Sequence, residues 1–204
     1  RAIEFLYIRL QESKAGDKWV LPPDIDTMHQ WVPWAIGRGF GECLAGDADF
    51  EVEYSGSYKV IREVVRIYVQ EVLANDKQYA PFQIWNLEER FDTSIPMLIN
   101  GETWKIKLGG IIDRVDIKNG IYRIIDYKTG KDSKDFKGVS SFFDREGRDR
   151  NKAALQTFLY TYVLKKQFNS DIPVVAGLYD VRNMRKDAEK FDWRFRDTSA
   201  GNEP

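Results

Sequence analysis

The chain has 204 residues, a net charge of −1 at neutral pH and an aromatic content of 14%. Its length suits one core, or a core with an appended subdomain, and its charge excludes a globally basic nucleic-acid binder. The single cysteine, Cys43, excludes a disulfide framework and a cysteine-based zinc site, and no apolar run approaches the length of a membrane span. A reducing, cytoplasmic compartment without membrane association is therefore expected.

The first part of the chain is predicted to be helical or irregular. Hydrophobic periodicity predicts a short amphipathic helix over residues 1–13, an irregular region with one short helix over 15–54, and a helix over 57–75. Ser57 is the expected N-cap of that helix. Its apolar stripe is predicted to contain Val60, Ile61, Val64, Ile67, Tyr68 and Val72. The opening Arg1 is not a methionine, which is consistent with a fragment of a longer protein.

The second part is predicted to be dominated by strands. These are expected at residues 83–91, 94–99, 103–117, 121–128 and 173–181, with an edge strand at 191–195, a helix at 153–168 and a loose tail over 197–204. Strands bracketed by helices predict an α/β or α+β fold around one mixed sheet. We expect two portions, a helical or irregular one over 1–80 and a core over 81–204.

Two apolar, β-branched runs flank the dipeptide Asn119-Gly120; the first contains Ile111-Ile112 and the second contains Ile124-Ile125. Asn-Gly is the strongest short-range signal for a two-residue hairpin turn of type I′. With this turn, Lys118 faces Ile121, so Asp113 faces Asp126. Facing carboxylates repel one another unless a charge compensates them, and a hard divalent cation takes carboxylate oxygens. The hairpin therefore predicts a metal site.

Lys128 lies two residues beyond Asp126 and therefore on the same face of the strand. A divalent cation with an adjacent ammonium suits hydrolysis of a phosphate ester. Residues 123–166 carry 11 basic and 6 acidic side chains, whereas residues 1–100 carry 10 basic and 16 acidic. A basic segment near the site fits a phosphate-backbone substrate, although a solvated charged surface explains it equally well.

Three segments together resemble the PD-(D/E)xK nuclease superfamily, and most closely its RecB-type branch. They are Gly-Ile-Ile-Asp-Arg-Val-Asp over 110–116, Asp-Tyr-Lys-Thr-Gly over 126–130, and Gln156 with Tyr160. The resemblance covers about residues 83–165 and implies a restriction-endonuclease-like α/β fold, a mixed central sheet flanked by helices. It also implies a Mg²⁺-dependent (or Mn²⁺-dependent) DNA exonuclease of recombination and repair, associated with a helicase domain or subunit. One cysteine excludes the iron–sulfur cluster of some relatives.

The resemblance implies a role for each matched residue. Asp113 and Asp126 would be catalytic metal ligands, and the Tyr127 backbone carbonyl would be a third ligand. Lys128 would be catalytic, and Glu88 would hold water or a second ion. The substrate-binding residues implied or expected here are Gln156, Tyr160 and Lys131.

Ordinary structural roles compete with these assignments. The two aspartates could cap strand ends or pair with Arg114 or Arg123, and Lys128 could protect a strand edge. Glu88 could be an exposed strand charge, and Gln156 could lie on an ordinary polar helix edge. Arg114 and Asp116 share the opposite face from Asp113, so we expect a supporting ion pair there. Gly109 and Gly110 are expected to permit a bulge or a close backbone approach.

The family's usual histidine ligand is not matched. The only histidine, His29, lacks the Gly-x-x-x-His context, and we expect it to be a loop or surface residue. This departure keeps a catalytically inactive nuclease-fold module, which binds DNA or scaffolds a helicase complex, as an alternative. A third hypothesis is an unrelated Mg²⁺-dependent phosphohydrolase that acts on small substrates.

Overall fold

The structure is a computed structural model that describes residues 1–144, 150–168, 173–184 and 192–199. Its helices are α1 (Ala2–Ser13), α2 (Pro22–Ala45), α3 (Ser57–Tyr79) and α4 (Lys152–Phe168). Its strands are β1 (Trp19–Val20), β2 (Phe82–Ile99), β3 (Glu102–Lys118), β4 (Ile121–Lys128), β5 (Asp135–Phe136), β6 (Val174–Asp180) and β7 (Arg196–Asp197). A 3-10 turn covers Val139–Phe143.

Five of these strands form one mixed sheet in the order β1-β2-β3-β4-β6, and β5 pairs with β7 in a separate parallel ladder. The predicted α/β class, with a mixed sheet flanked by helices, is confirmed. The chain divides into two compact units. Unit 1 contains Arg1–Ile84 and Tyr179–Asp192, and unit 2 contains Trp85–Leu178 and Trp193–Pro204. In the part of the chain that is described, no helix is both long and apolar enough to cross a membrane.

Unit 1 is built around its three helices. Its core contains side chains that are less than 5% exposed, among them Leu6, Ile25, Met28, Val32 and Leu73. The buried carboxylate of Asp76 accepts hydrogen bonds from the Tyr7 hydroxyl at 2.5 Å and the Tyr179 hydroxyl at 3.1 Å. These bonds satisfy a charge that would otherwise be costly to bury.

The prediction that residues 15–54 are irregular with one short helix is wrong, because a 24-residue helix, α2, occupies most of this region. Pro22 begins the helix, where a missing backbone N–H is harmless, and Asp24 accepts a hydrogen bond from the Leu21 N–H at 2.8 Å. The glycines of α2 disfavour a helix locally, but they allow other parts of the backbone to pack closely against it. A Cβ on Gly41 would lie 2.6 Å from the Asp47 carbonyl oxygen. Tertiary contact therefore overrides the low helix propensity of glycine here.

Helix α3 is longer than predicted and buries a different face. It runs to Tyr79, and its N-cap is Gly56 rather than Ser57, with no side-chain capping hydrogen bond. The first residues of the predicted stripe are exposed, Val60 at 65% and Ile61 at 46%. Burial begins only at the second half of the helix, where Val69, Val72, Leu73 and Asp76 are covered.

Unit 2 contains the β3–β4 hairpin and helix α4. The strands predicted at 83–91 and 94–99 are one continuous strand, β2. Gly110 permits the close approach expected of it, since a Cβ there would lie 3.1 Å from the Phe91 ring and 3.3 Å from the Tyr160 ring. Those two rings meet edge to face, with centroids 5.4 Å apart, in a core that also contains Val115, Ile124 and Val163.

The end of the chain differs from the prediction. No edge strand covers residues 192–195, which contribute only an isolated bridge from Arg194 to Gly177, and Phe191 lies outside the described residues. The described part of the predicted loose tail is bonded, because the Thr198 N–H donates to the Phe136 carbonyl at 2.8 Å. Residues 200–204 of that tail also lie outside the described residues.

Candidate active site

The β3–β4 hairpin has the predicted register. Lys118 pairs with Ile121 and Arg114 pairs with Ile125, so the next position along the ladder places Asp113 opposite Asp126. Asn119 and Gly120 both have positive φ, 52° and 74°, as a type I′ turn requires. The local turn chemistry therefore sets which carboxylates face each other.

The two aspartates have different surroundings. Asp113 is half-buried and its Oδ2 accepts a hydrogen bond from the Tyr127 N–H at 2.9 Å. Asp126 is only 2% exposed. Burial raises the pKa of Asp126 to about 6; the negative charges of Asp113 and Asp132 add to the rise, and Lys128 opposes it. Burial therefore disfavours the ionised form of Asp126, and a bound cation would stabilise that form.

Lys128 contacts both the strand and helix α4. Its Nζ lies 2.8 Å from Oδ2 of Asp126 and donates a hydrogen bond to Oε1 of Gln156 at 3.2 Å. Burial lowers the pKa of Lys128, but the negative charges around it, led by Asp126, outweigh burial and leave the pKa above its ordinary value. Lys128 is therefore a fixed positive charge at this site.

Helix α4 supplies the next contacts. Nε2 of Gln156 donates to the Tyr160 hydroxyl oxygen at 2.6 Å, so Lys128, Gln156 and Tyr160 form one connected chain of side chains. Burial raises the pKa of Tyr160, which keeps its hydroxyl neutral. The structure thus brings the predicted pair Gln156 and Tyr160 to the carboxylates through Lys128.

The donor atoms fit a hard divalent cation. Oδ2 of Asp126 is buried and accepts no well-directed hydrogen bond from the residues that the structure describes, although the Lys128 ammonium is close. Mg²⁺ keeps several waters and commonly takes only one or two protein carboxylates, so Asp113 and Asp126 suffice as side-chain ligands.

The structure places the two other candidates, Glu88 and His29, on β2 and α2. Glu88 is half-buried on β2 with φ of 48°, a left-handed backbone that is unusual for a non-glycine residue. His29 is half-buried on α2 in unit 1, so it is not in a loop. Among the described residues, no three His, Cys, Asp or Glu side chains are grouped so that they could hold a metal.

The opposite face of the hairpin carries the expected ion pair within a larger cluster. Arg114, Asp116 and Arg123 are each fully buried. Asp116 accepts from Arg114 Nη2 at 2.8 Å and from Arg123 Nη2 at 2.6 Å, and Arg114 Nη1 also donates to the Tyr127 hydroxyl at 3.0 Å. Tyr127 therefore links the two faces, since its backbone N–H binds Asp113.

Sequence reasoning missed two residues near the site. Asp132 is one, because its charge raises the pKa of Asp126. Asn151 is the other. Its Nδ2 donates to the Ser133 carbonyl at 2.6 Å and its Oδ1 accepts from the Ala154 N–H at 2.9 Å, which caps α4 and ties it to the loop after β4. An asparagine directly before a helical stripe is a recognisable N-cap signal.

Lys131 is exposed in that loop and lines a cavity of about 420 Å³. Other residues that line this cavity include Asp132, Lys137, Arg150, Lys152 and Thr198. The predicted basic segment therefore contributes several cations to one concave surface. Lys134 of the basic segment is half-buried, and residues 145–149, which include two of its arginines, lie outside the described residues.

Facing carboxylates with a lysine held between one of them and an adjacent helix are compatible with the chemistry of a metal-dependent phosphodiesterase. The comparison with protein families agrees with this class. The chain belongs to the PD-(D/E)XK nuclease superfamily, whose family model matches residues 42–200. The matched range begins well before the motif-bearing residues 83–165. No curated protein matches the chain.

Proposed function

We propose that the chain is a metal-dependent deoxyribonuclease domain of the RecB type, an exonuclease that acts in DNA recombination and repair beside a helicase domain or subunit. The observation that carries the proposal is the position of Lys128, between buried Asp126 and Gln156 and on the face where Asp113 meets Asp126. Membership of the nuclease superfamily supports the reaction class.

In this proposal Asp113, Asp126 and the Tyr127 carbonyl hold Mg²⁺ or Mn²⁺. When bound, the cation supplies Lewis-acid polarisation of the phosphate and lowers the pKa of water. The Tyr127 N–H donates to Oδ2 of Asp113 at 2.9 Å and so orients this carboxylate beside Asp126. Lys128 stabilises the negative charge that develops on the attacked phosphate, because its ammonium is held in place before the substrate arrives.

The remaining roles concern water and substrate. Glu88 is proposed to orient the attacking water from β2. Gln156 and Tyr160 are proposed to contact the substrate strand beside Lys128, to which they are already bonded. Lys131 is proposed to bind a phosphate next to the one that is cleaved, since it is exposed in the loop that directly follows β4.

A nuclease assay on linear single-stranded and duplex DNA, with Mg²⁺, Mn²⁺ or EDTA, tests the proposal. We expect metal-dependent cleavage that falls by at least about a hundredfold in Asp126→Asn, because removing a ligand forfeits several kcal/mol of transition-state stabilisation. Asp92→Asn is the matched control, since Asp92 is an exposed carboxylate on β2. Equal cleavage by both variants, or none by the unaltered chain with either ion, would contradict the proposal.

A second candidate is a catalytically silent nuclease-fold module that binds DNA or scaffolds a helicase complex. The observation in its favour is that, among the described residues, no three His, Cys, Asp or Glu side chains are grouped so that they could hold a metal. This candidate predicts DNA binding in EDTA that Asp126→Asn leaves unchanged, together with no cleavage in any metal.

A further inference from the structure

Two cavities of unit 2 adjoin each other at the start of helix α4. The first is the 420 Å³ cavity around Lys131, which we call the polar cavity. The second, of about 360 Å³, is the apolar groove, which Leu108, Gly109, Leu155, Gln156, Leu159 and Tyr160 line with four further residues. Arg150 and Lys152 line both cavities. A single ligand can therefore extend from one into the other past these two cations.

The walls of the two cavities differ in chemistry. The polar cavity contains Lys131, Lys137, Arg150 and Lys152 against Asp132 and Asp135, so cations outnumber carboxylates. Asp135 is paired with Arg196 at 2.7 Å, which reduces its effect on an incoming anion. The apolar groove has leucine walls, and Leu159 is 38% exposed at its surface. A ligand that fits both carries negative charge at one end and a flat apolar group at the other.

The apolar groove also reaches the candidate active site. Gln156 lies in the groove wall and accepts the hydrogen bond from Lys128, and Tyr160 lies beside it and accepts from Gln156. A group seated in the groove would therefore rest against the side chains that position the catalytic lysine. Gly109 has no side chain, which leaves the backbone of β3 open to a flat ligand.

We propose that the apolar groove seats one unstacked nucleobase of the substrate strand, while phosphates on that strand bind Arg150, Lys152 and Lys131 in the polar cavity. The inference rests on the proposed nuclease function, and it adds a base-binding site with Leu159 as a specificity-determining residue. A base inside a duplex is stacked on both faces and cannot enter the groove. The site therefore selects single strands or frayed ends.

The test is an abasic scan of a fluorescent single-stranded oligonucleotide, measured by anisotropy in EDTA so that no strand is cleaved. Replacing one nucleotide at a time by an abasic sugar keeps every phosphate and removes one base. We expect one position, set by the distance from the strand end, at which the abasic change weakens binding by roughly tenfold. If the abasic change weakens binding equally at every position, or at none, the inference is overturned.

A variant identifies the groove as the place where that base lies. Leu159→Gln should weaken binding of the intact strand by a similar factor and abolish the penalty of the sensitive abasic position. Leu44→Gln is the matched control, because Leu44 is an exposed leucine on α2 that lines neither cavity. If the abasic penalty persists at full size in Leu159→Gln, the base lies elsewhere.

A probe on the unaltered chain removes any dependence on how well the variant folds. We expect 2-aminopurine at the sensitive position to change its fluorescence on binding, and the same probe two positions away to change much less. Equal fluorescence changes at both positions would contradict the proposal that the groove binds one particular base. If the chain cleaves DNA but no abasic position weakens binding, only the inference about the groove is contradicted. If one abasic position weakens binding but the chain cleaves no DNA, only the nuclease proposal is contradicted.

Discussion

The two faces of the β3–β4 hairpin both carry buried charge, but only one of them is fully hydrogen-bonded. On one face Asp116 accepts from two arginines, and all three side chains are excluded from water. On the other face Asp126 is equally buried, yet its Oδ2 lacks a well-directed hydrogen bond and burial raises its pKa to about 6. On the first face every buried charged group has its hydrogen-bond partners, whereas on the second face Oδ2 of Asp126 can still coordinate a ligand.

This difference separates structural from chemical roles for the same residue types. A buried charge that has all its hydrogen bonds acts mainly to hold the strands in one arrangement. A buried carboxylate with a raised pKa and an unsatisfied oxygen indicates a functional site. Tyr127 joins the two, because its hydroxyl accepts from Arg114 and its N–H donates to Asp113. The arginine cluster therefore positions the carboxylate on the opposite face.

The largest expected effect is on stability, and it comes from disrupting the fully hydrogen-bonded cluster of Arg114, Asp116 and Arg123. Asp116→Ala leaves two buried guanidinium groups without their carboxylate, and we expect it to lower the free energy of unfolding by about 3–5 kcal/mol. Urea denaturation measures this change. Asp49→Ala is the control, because Asp49 is an exposed partner of Arg38 whose loss should cost less than about 1 kcal/mol.

A compensated variant shows whether the cost arises from unpaired charge. Replacing Arg114 and Arg123 by Met together with Asp116 by Leu removes the whole cluster, and stability should return to near that of the unaltered chain. If Asp116→Ala costs as little as the Asp49 control, the cluster does not hold the hairpin.

The next largest effect is on activity rather than stability. Lys128→Met removes the fixed positive charge, and we expect the rate of DNA cleavage to fall by about 10²- to 10³-fold. Lys107→Met, at an exposed position of β3, should leave the rate unchanged. A parallel loss in both variants would indicate a general electrostatic effect on DNA binding instead of a role for Lys128 in the reaction.

The raised pKa of Asp126 predicts a pH dependence. Its folded-state pKa of about 6 lies above the ordinary value of 3.8, so the folded protein holds this proton more tightly than the unfolded chain. The resulting stabilisation is complete below about pH 4 and is lost as the pH rises through 6. In EDTA, the stability of Asp126→Asn relative to the unaltered chain should therefore increase by on the order of 2–3 kcal/mol between pH 4 and pH 7.

Unfolding free energies at a series of pH values measure this difference, and Mg²⁺ should reduce it at pH 7 by stabilising the ionised carboxylate. Cleavage should decline at acidic pH with a midpoint below 6 at saturating Mg²⁺, because the cation favours the ionised Asp126 and protonated Asp126 is a poor metal ligand. Parallel stability profiles for the two chains would show that Asp126 has an ordinary pKa.

The features that the sequence predicted correctly depend on local rules. The type I′ turn at Asn119-Gly120 sets the register, and the register places Asp113 opposite Asp126. Strand alternation then places Lys128 on the same face, and helical spacing places Gln156 beside Tyr160. Each of these relations spans few residues, so a single sequence carries the information.

The features that were missed depend on contacts distant in the chain. The full length of helix α2 was not predicted, because Gly39 and Gly41 disfavour a helix locally. Only the close approach of other backbone segments favours glycine at these positions. The ion pair of Lys128 with Asp126 was also not foreseen as the compensating charge. Sequence reasoning assigned that role to a metal alone, because it cannot show where a long side chain will point.

The smallest effect tests whether α4 sets the position of the catalytic lysine. Gln156→Met keeps the length of the side chain and removes the acceptor that Lys128 uses, so we expect cleavage to fall by about tenfold with little change in stability. Gln167→Met, at an exposed position near the end of the same helix, is the matched control. Because Lys128 keeps its contact with Asp126, the loss should be smaller than in Lys128→Met. A loss as large as that of Lys128→Met would mean that the proposed contact of Gln156 with the substrate contributes more to cleavage than its hydrogen bond to the lysine.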